Sequence, residues 1–220
     1  MRRLLRDNGL SIVTFGLFFV FVSAQSVMGL LDYNSTQKEH GQRPVSYVQY
    51  LGSGDFVEAV FENWESEFLQ MGLYVLLTAF LFQRGSAESK DPEAQHPDDA
   101  DYGEDMDVDV PWPVRKGGWT LRLYENSLSI VLLALFAFSF IMHAVGGASA
   151  YNQEQLEHGA PPVSVVMYLA TPRFWFESFQ NWQSEFLAIG AMIVLSIYLR
   201  QKGSSQSKPV ASPHSKTGSY

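Results

Sequence analysis

Cysteine is absent from all 220 residues. That excludes disulfides, thiolate nucleophiles, zinc–thiolate sites and iron–sulfur ligation in one step. The short signatures of common chemistries are missing too: there is no Walker loop, dinucleotide fingerprint, GxSxG elbow or HExxH pair. No basic patch with interleaved aromatics points to nucleic acid. Charge is scarce outside one stretch. Between Glu88 and Asp109 ten acidic residues stand beside a single Lys, so this segment carries −9 of the formal −8 and the rest sums to about +1. The low isoelectric point therefore describes a linker and says little about partners.

What is present is written twice. Asn63-Trp64-Glu65-Ser66-Glu67-Phe68-Leu69 returns as Asn181-Trp182-Gln183-Ser184-Glu185-Phe186-Leu187, and one shift of 118 positions aligns 7–90 with 125–208 without a gap. About 37 of those 84 paired positions are identical. Chance does not produce this, so the chain is read as a duplication separated by the acidic linker.

Each copy holds two apolar stretches. The first, Gly9–Leu31, follows a basic start and contains Val22-Ser23-Ala24-Gln25, a pattern that a cleaved secretory signal shares. Its second copy lies deep inside the chain, so the stretch is expected to stay as a transmembrane helix, long enough at ~1.5 Å per residue to cross a ~30 Å hydrocarbon layer. The second apolar part, Phe68–Phe82, is short for a bilayer. Extending it back to Phe61 draws Asn63, Trp64 and Glu67 into the outer leaflet, with Phe61, Trp64 and Phe68 on one helix face and Asn63, Glu67 and Gln70 on another. Gly72 and its counterpart Gly190 would let neighbouring helices approach closely. The loop from Tyr33 to Gly41 reads as a short helix stopped by glycine (Gly159 in the second copy), followed by Pro-Val-Ser and an apolar piece that is re-entrant or interfacial.

The expected fold is an all-α membrane protein of four transmembrane helices in two tandem hairpins, with short helical outer loops. Residues 1–84 form the first repeat (spans about 9–31 and 61–83), and 85–117 an acidic disordered linker closed by a Trp112–Trp119 interfacial anchor. Residues 118–203 form the second repeat (spans about 127–147 and 179–200), and 204–220 a flexible tail. Lys and Arg concentrate in the N-terminal tail, linker and C-terminal tail; the loops inside the hairpins hold only Lys38, Arg43 and Arg173. Both termini and the linker are therefore expected to be cytoplasmic.

Candidate chemistry gathers on the duplicated polar residues. A carboxylate within a span is costly unless paired, protonated or wet. Glu67 and Glu185 therefore read either as an ion or proton path or as interface groups hydrogen-bonded by Trp64 and Trp182. His40 and His158 could join them in a metal site, although no pair fixes two ligands on one helix face, and a histidine at a helix C-terminus is also favoured by the dipole alone. Gln25 and His143 occupy equivalent places in the first and third spans, and either line a cavity or hydrogen-bond between helices. His143 is the one histidine within a span, which argues against haem. Asn63 and Asn181 set packing beside the glutamates. The glycosylation sequon Asn34-Ser35-Thr36 is not kept in the second copy.

The doubled pattern of Asn-x-Leu-Ser, Tyr-Asn…Glu-His-Gly, Pro-Val-Ser and Asn-Trp-x-Ser-Glu-Phe-Leu resembles an uncharacterised family of small bacterial multi-pass membrane proteins, known as a domain of unknown function. The resemblance covers both repeats. It implies a bacterial inner-membrane location and assigns no catalytic or binding residues. The expectation is thus a non-enzymatic binding or structural membrane component with an outward polar cluster. It has no cofactor, the lipid bilayer as its surroundings, self-assembly or an unidentified protein as partner, and no nucleic acid. The alternative is a small oligomeric channel or transporter using Glu67 and Glu185.

Overall fold

The structure is a computed structural model describing residues 2–91 and 110–218. Among these it contains eight helices and no strand: α1 (Arg2–Glu39), α2 (Tyr47–Leu51), α3 (Gly54–Thr78), α4 (Trp112–Lys116), α5 (Gly118–Glu125), α6 (Ser127–Glu157), α7 (Val165–Leu169) and α8 (Pro172–Tyr198). Two helices are long and apolar enough to cross a membrane: the 34-residue part Arg6–Glu39 of α1, and α6 with 31 residues. The chain divides into two units, Met1–Phe61 with Met142–Thr171, and Glu62–Ile141 with Pro172–Tyr220.

In the first unit the outer loops are built by the same residues in both copies. The expected short helix before Gly41 is the end of α1 itself. Gly41 and Gly159 stop α1 and α6 at φ 71° and 72°, a left-handed conformation that glycine adopts without a Cβ penalty. Asn34 then clamps the returning chain: its amide donates to the Val45 carbonyl (3.0 Å) and its oxygen accepts from the Val45 N–H (2.7 Å). Asn152 does the same to Val163, at 2.9 and 2.7 Å. The following serines cap the next helices. Ser46 accepts from the Gln49 N–H while Gln49 reaches back to the Ser46 N–H, a capping box, and Ser164 accepts from the Met167 N–H. The apolar piece expected to be re-entrant is thus a short capped helix, α2 or α7. Tyr50 and Tyr168 lay their rings 5.6 Å from Tyr33 and Tyr151 respectively, over Gly29 and Gly147, where a Cβ would collide with the tyrosine.

Small residues bring the start of α3 and the end of α6 into backbone contact. A Cβ on Gly54 would lie 2.5 Å from the Ala150 nitrogen, and one on Gly146 would lie 2.6 Å from the Glu58 nitrogen. Close approach of this kind is how helices associate where burying apolar surface offers no drive.

α3 begins at Gly54 in the first unit, seven residues before the expected Phe61, and stops at Thr78 in the second. In the turns that follow, from Gln83 to Ser89, serine side chains satisfy free backbone donors. Ser89 Oγ accepts from the Gln83 N–H and Ser86 Oγ from the Glu88 N–H. Ser207 and Ser204 repeat both bonds on Gln201 and Gln206 after α8. The tail expected to be flexible forms a series of turns through residue 218. Lys208 is buried and donates to the carbonyls of Gly85, His214 and Lys216. At the end of the linker expected to be disordered lies α4, with Lys116 over the Trp112 ring, and α5 follows with Arg122 over Trp119. The linker residues 92–109 lie outside the described residues.

Candidate functional site

Most of the side chains that are fully withdrawn from solvent are polar, Phe174 being an exception. Glu65, His143, Ser139 and Ser178 have at most about 1% of their surface exposed, while Leu10, Phe19, Ile141, Phe176 and Leu187 are all more than half exposed. Burial of a carboxylate or imidazole is tolerated only where other polar groups surround it.

In the first unit, α3 carries Glu58 into contact with α7. The Tyr168 hydroxyl donates to Glu58 Oε1 at 3.1 Å, and both residues are buried. His143, on α6, brings a ring nitrogen within 4.8 Å of a Glu58 carboxylate oxygen. Gly147 makes the room, since a Cβ there would stand 2.6 Å from the Tyr168 hydroxyl and 2.8 Å from Glu58 Oε1. One carboxylate oxygen and one imidazole nitrogen are two of the four to eight donors that a divalent ion takes, and here they belong to an internal polar cluster.

In the second unit the buried carboxylate is Glu65. The Trp182 indole N–H donates to Glu65 Oε1 at 2.9 Å, and Asn181 Nδ2 donates to Glu62 Oε1 at 3.0 Å. Phe136, Trp175 and Phe179 surround the indole with ring centroids 5.5 to 6.4 Å away, mostly edge to face. The aromatic wall excludes water from one side of the bond, and low local polarity strengthens it. Gln70, also buried, donates to the Glu185 carbonyl at 3.0 Å. The second copy of the Asn-Trp motif on α8 thus grips glutamates of α3.

The residues singled out from sequence are dispersed. Glu67 is exposed on α3, and its charge acts on that of the half-buried Glu185. Asn63 and Gln25 are exposed, and Asn181 is half-buried on Glu62. His40 and His158 are exposed at the ends of α1 and α6, His158 Nδ1 lying 2.8 Å from the Glu154 carbonyl, which suits the helix-terminal role. His143 is the member of that set enclosed in a buried cluster. The indole N–H of Trp182, expected to serve Glu67 or Glu185, serves Glu65.

Glu58, Glu62 and Glu65 were not singled out. Two signals in the sequence point to them. They are spaced i, i+4, i+7 and so share one face of α3. They also stand where the copies differ: Glu58 pairs with Phe176, Glu62 with Gln180 and Glu65 with Gln183, just as His143 pairs with Gln25. The buried Glu58, Glu65 and His143 thus stand at positions the duplication did not keep in common.

The family described as Domain of unknown function (DUF6766) matches residues 1–219. Comparison with curated proteins gives no match, and comparison with solved structures gives none.

Proposed function

Since the chain belongs to that family of unknown function, we propose from the chemistry of its own residues that it is a non-enzymatic, four-span integral membrane protein whose buried polar clusters hold its helices together. The spans are α1, α3, α6 and α8, in two tandem hairpins in a bacterial inner membrane with both termini cytoplasmic. The observation that carries this reading is the inverted distribution of polarity. Carboxylates, imidazole and serines are enclosed, while large aliphatic and aromatic side chains of α1, α6 and α8 face outward. In water that surface would drive aggregation; in lipid it is the solvated face. Between helices in lipid, hydrogen bonds such as Trp182–Glu65 and small-residue contacts such as Gly54–Gly146 supply the cohesion that the hydrophobic effect does not.

The absence of cysteine makes the test direct. Single cysteines at Asn34 and Ser205, placed in intact cells, are expected to label with a membrane-impermeant thiol reagent at Asn34→Cys only. Ser205→Cys is expected to label only after permeabilisation. Extraction of the protein by alkaline carbonate, or labelling in the opposite order, overturns the four-span reading or its orientation respectively.

One observation favours a second reading. Glu67 and Asn63 are exposed near the middle of α3, a position that lipid would not tolerate well unless water or another copy covers it. An oligomeric ion or proton path through Glu67 and Glu185 meets that demand. Proton or cation flux into liposomes, abolished by Glu67→Gln with Glu185→Gln, would establish it.

A further inference from the structure

The duplicated glycines of α3 and α8 have parted in use. Gly72 lies against α6, where a Cβ would stand 3.0 Å from a Leu133 methyl and crowd it. Gly190 occupies the equivalent place in α8, yet a Cβ there would meet nothing within 4 Å. The space in front of it is a groove of about 370 Å³. Leu77, Leu81, Phe82, Phe186, Ile189 and Ile193 make its apolar walls, and Gln83, Glu88 and Ser89 close one end. No Lys or Arg lines it among the described residues. Glu88 is held there by the Tyr74 hydroxyl, which donates to its Oε2 at 2.9 Å.

We infer that this groove is a binding site for one phospholipid with an amine headgroup, a phosphatidylethanolamine. The acyl chain lies along α8 over Gly190 and the ammonium group sits on Glu88. The inference rests on the four-span reading, which places the C-terminal ends of α3 and α8 at the cytoplasmic lipid interface. A groove with apolar walls and one polar end matches the two halves of a lipid. The charge at that end then decides which lipid. The Glu88 carboxylate, at the end of a groove whose described lining holds no Lys or Arg, attracts an ammonium group and repels an anionic headgroup, the reverse of the basic pockets that select acidic lipids. Glycine at 190 keeps the floor of the groove open where any side chain would fill it.

The full chain in mixed vesicles of phosphatidylethanolamine and phosphatidylglycerol provides the test. After gentle detergent extraction, bound lipid is read by native mass spectrometry. Retention of phosphatidylethanolamine over phosphatidylglycerol by about tenfold is expected for the unaltered protein. Gly190→Leu, which fills the groove from a helical position that favours leucine, is expected to remove both lipids. Ile193→Phe should act in the same way if Gly190→Leu perturbs the helix content. Glu88→Gln is expected to keep a bound lipid and lose the preference for the amine. Equal retention of the two lipids by the unaltered protein, or unchanged retention in both groove-filling variants, overturns the inference and leaves the four-span reading intact. Failure of the chain to stay with the vesicles in alkaline carbonate overturns that reading first, and the lipid site with it.

Discussion

At the residue scale the strongest constraint is the enclosure of Glu65 with Trp182. Removing the indole donor while leaving a buried carboxylate oxygen strips it of a partner, which costs on the order of 1–3 kcal/mol, whereas changing the acceptor to an amide keeps an oxygen in place. Trp182→Phe is therefore expected to lower the unfolding midpoint in detergent markedly, and Glu65→Gln much less. The double variant should be closer to Trp182→Phe than additivity allows, which a thermal-unfolding cycle measures. Equal effects from the two single changes would mean that the bond is not what holds α8 to α3.

Tyr50 supplies a pH dependence at the same scale. It lies in α2, outside the spans, and burial first, then the charges of Asp55 and Asp32 and the nearby Tyr33, hold its phenol above its usual value of 10.0. The folded state thus keeps this proton to higher pH than the unfolded chain does. The stability it contributes is fully present below about pH 10 and is lost as pH rises from there through the folded value. A plot of unfolding midpoint against pH should fall more steeply above pH 10 for the unaltered protein than for Tyr50→Phe; parallel curves would exclude Tyr50 as the source.

Helix ends and loops are governed by repeated local devices, and the two copies offer paired experiments at this scale. Asn34→Ala and Asn152→Ala each delete a two-bond clamp on a valine backbone and leave that valine's N–H and carbonyl without the side-chain partner. Each should cost on the order of 1–3 kcal/mol and speed amide exchange at 41–46 or 159–164, within its own copy. Gly41→Ala and Gly159→Ala meet no steric obstacle, so their penalty is conformational, about 1 kcal/mol each. The serine-rich turns after α3 and α8 are a third such device, and Lys208→Ala should loosen 83–91 together with 209–218 in hydrogen exchange.

At the scale of the whole molecule, the sequence made the helical class and the duplication legible. The apolar period, glycine stops and the 118-residue shift are all local or pairwise in the chain. Helix lengths were less legible: α1 runs on to Glu39 and α3 begins at Gly54, because polar residues continue a helix whose backbone is already paired. The turns of the tail were not legible, since its composition is that of a linker while carbonyls from elsewhere in the chain gather on Lys208. The candidate site was the least legible part. Duplication drew attention to Glu67 and Glu185, yet a glutamate is buried or exposed according to which neighbouring helix faces it. That is not encoded in either copy alone.

By itself, then, the sequence determined that this chain is helical, duplicated and apolar enough in α1 and α6 to enter a membrane, because backbone hydrogen bonding and hydropathy act over neighbouring residues. Only the tertiary structure decided that Glu58, Glu65 and His143 are the enclosed groups, that Gly72 packs while Gly190 opens a groove, and that Trp182 serves Glu65. Each of those outcomes depends on residues at least 61 positions apart (Gly72 and Leu133 being the nearest pair) arriving within a few ångströms of one another, and only the folded chain brings them there.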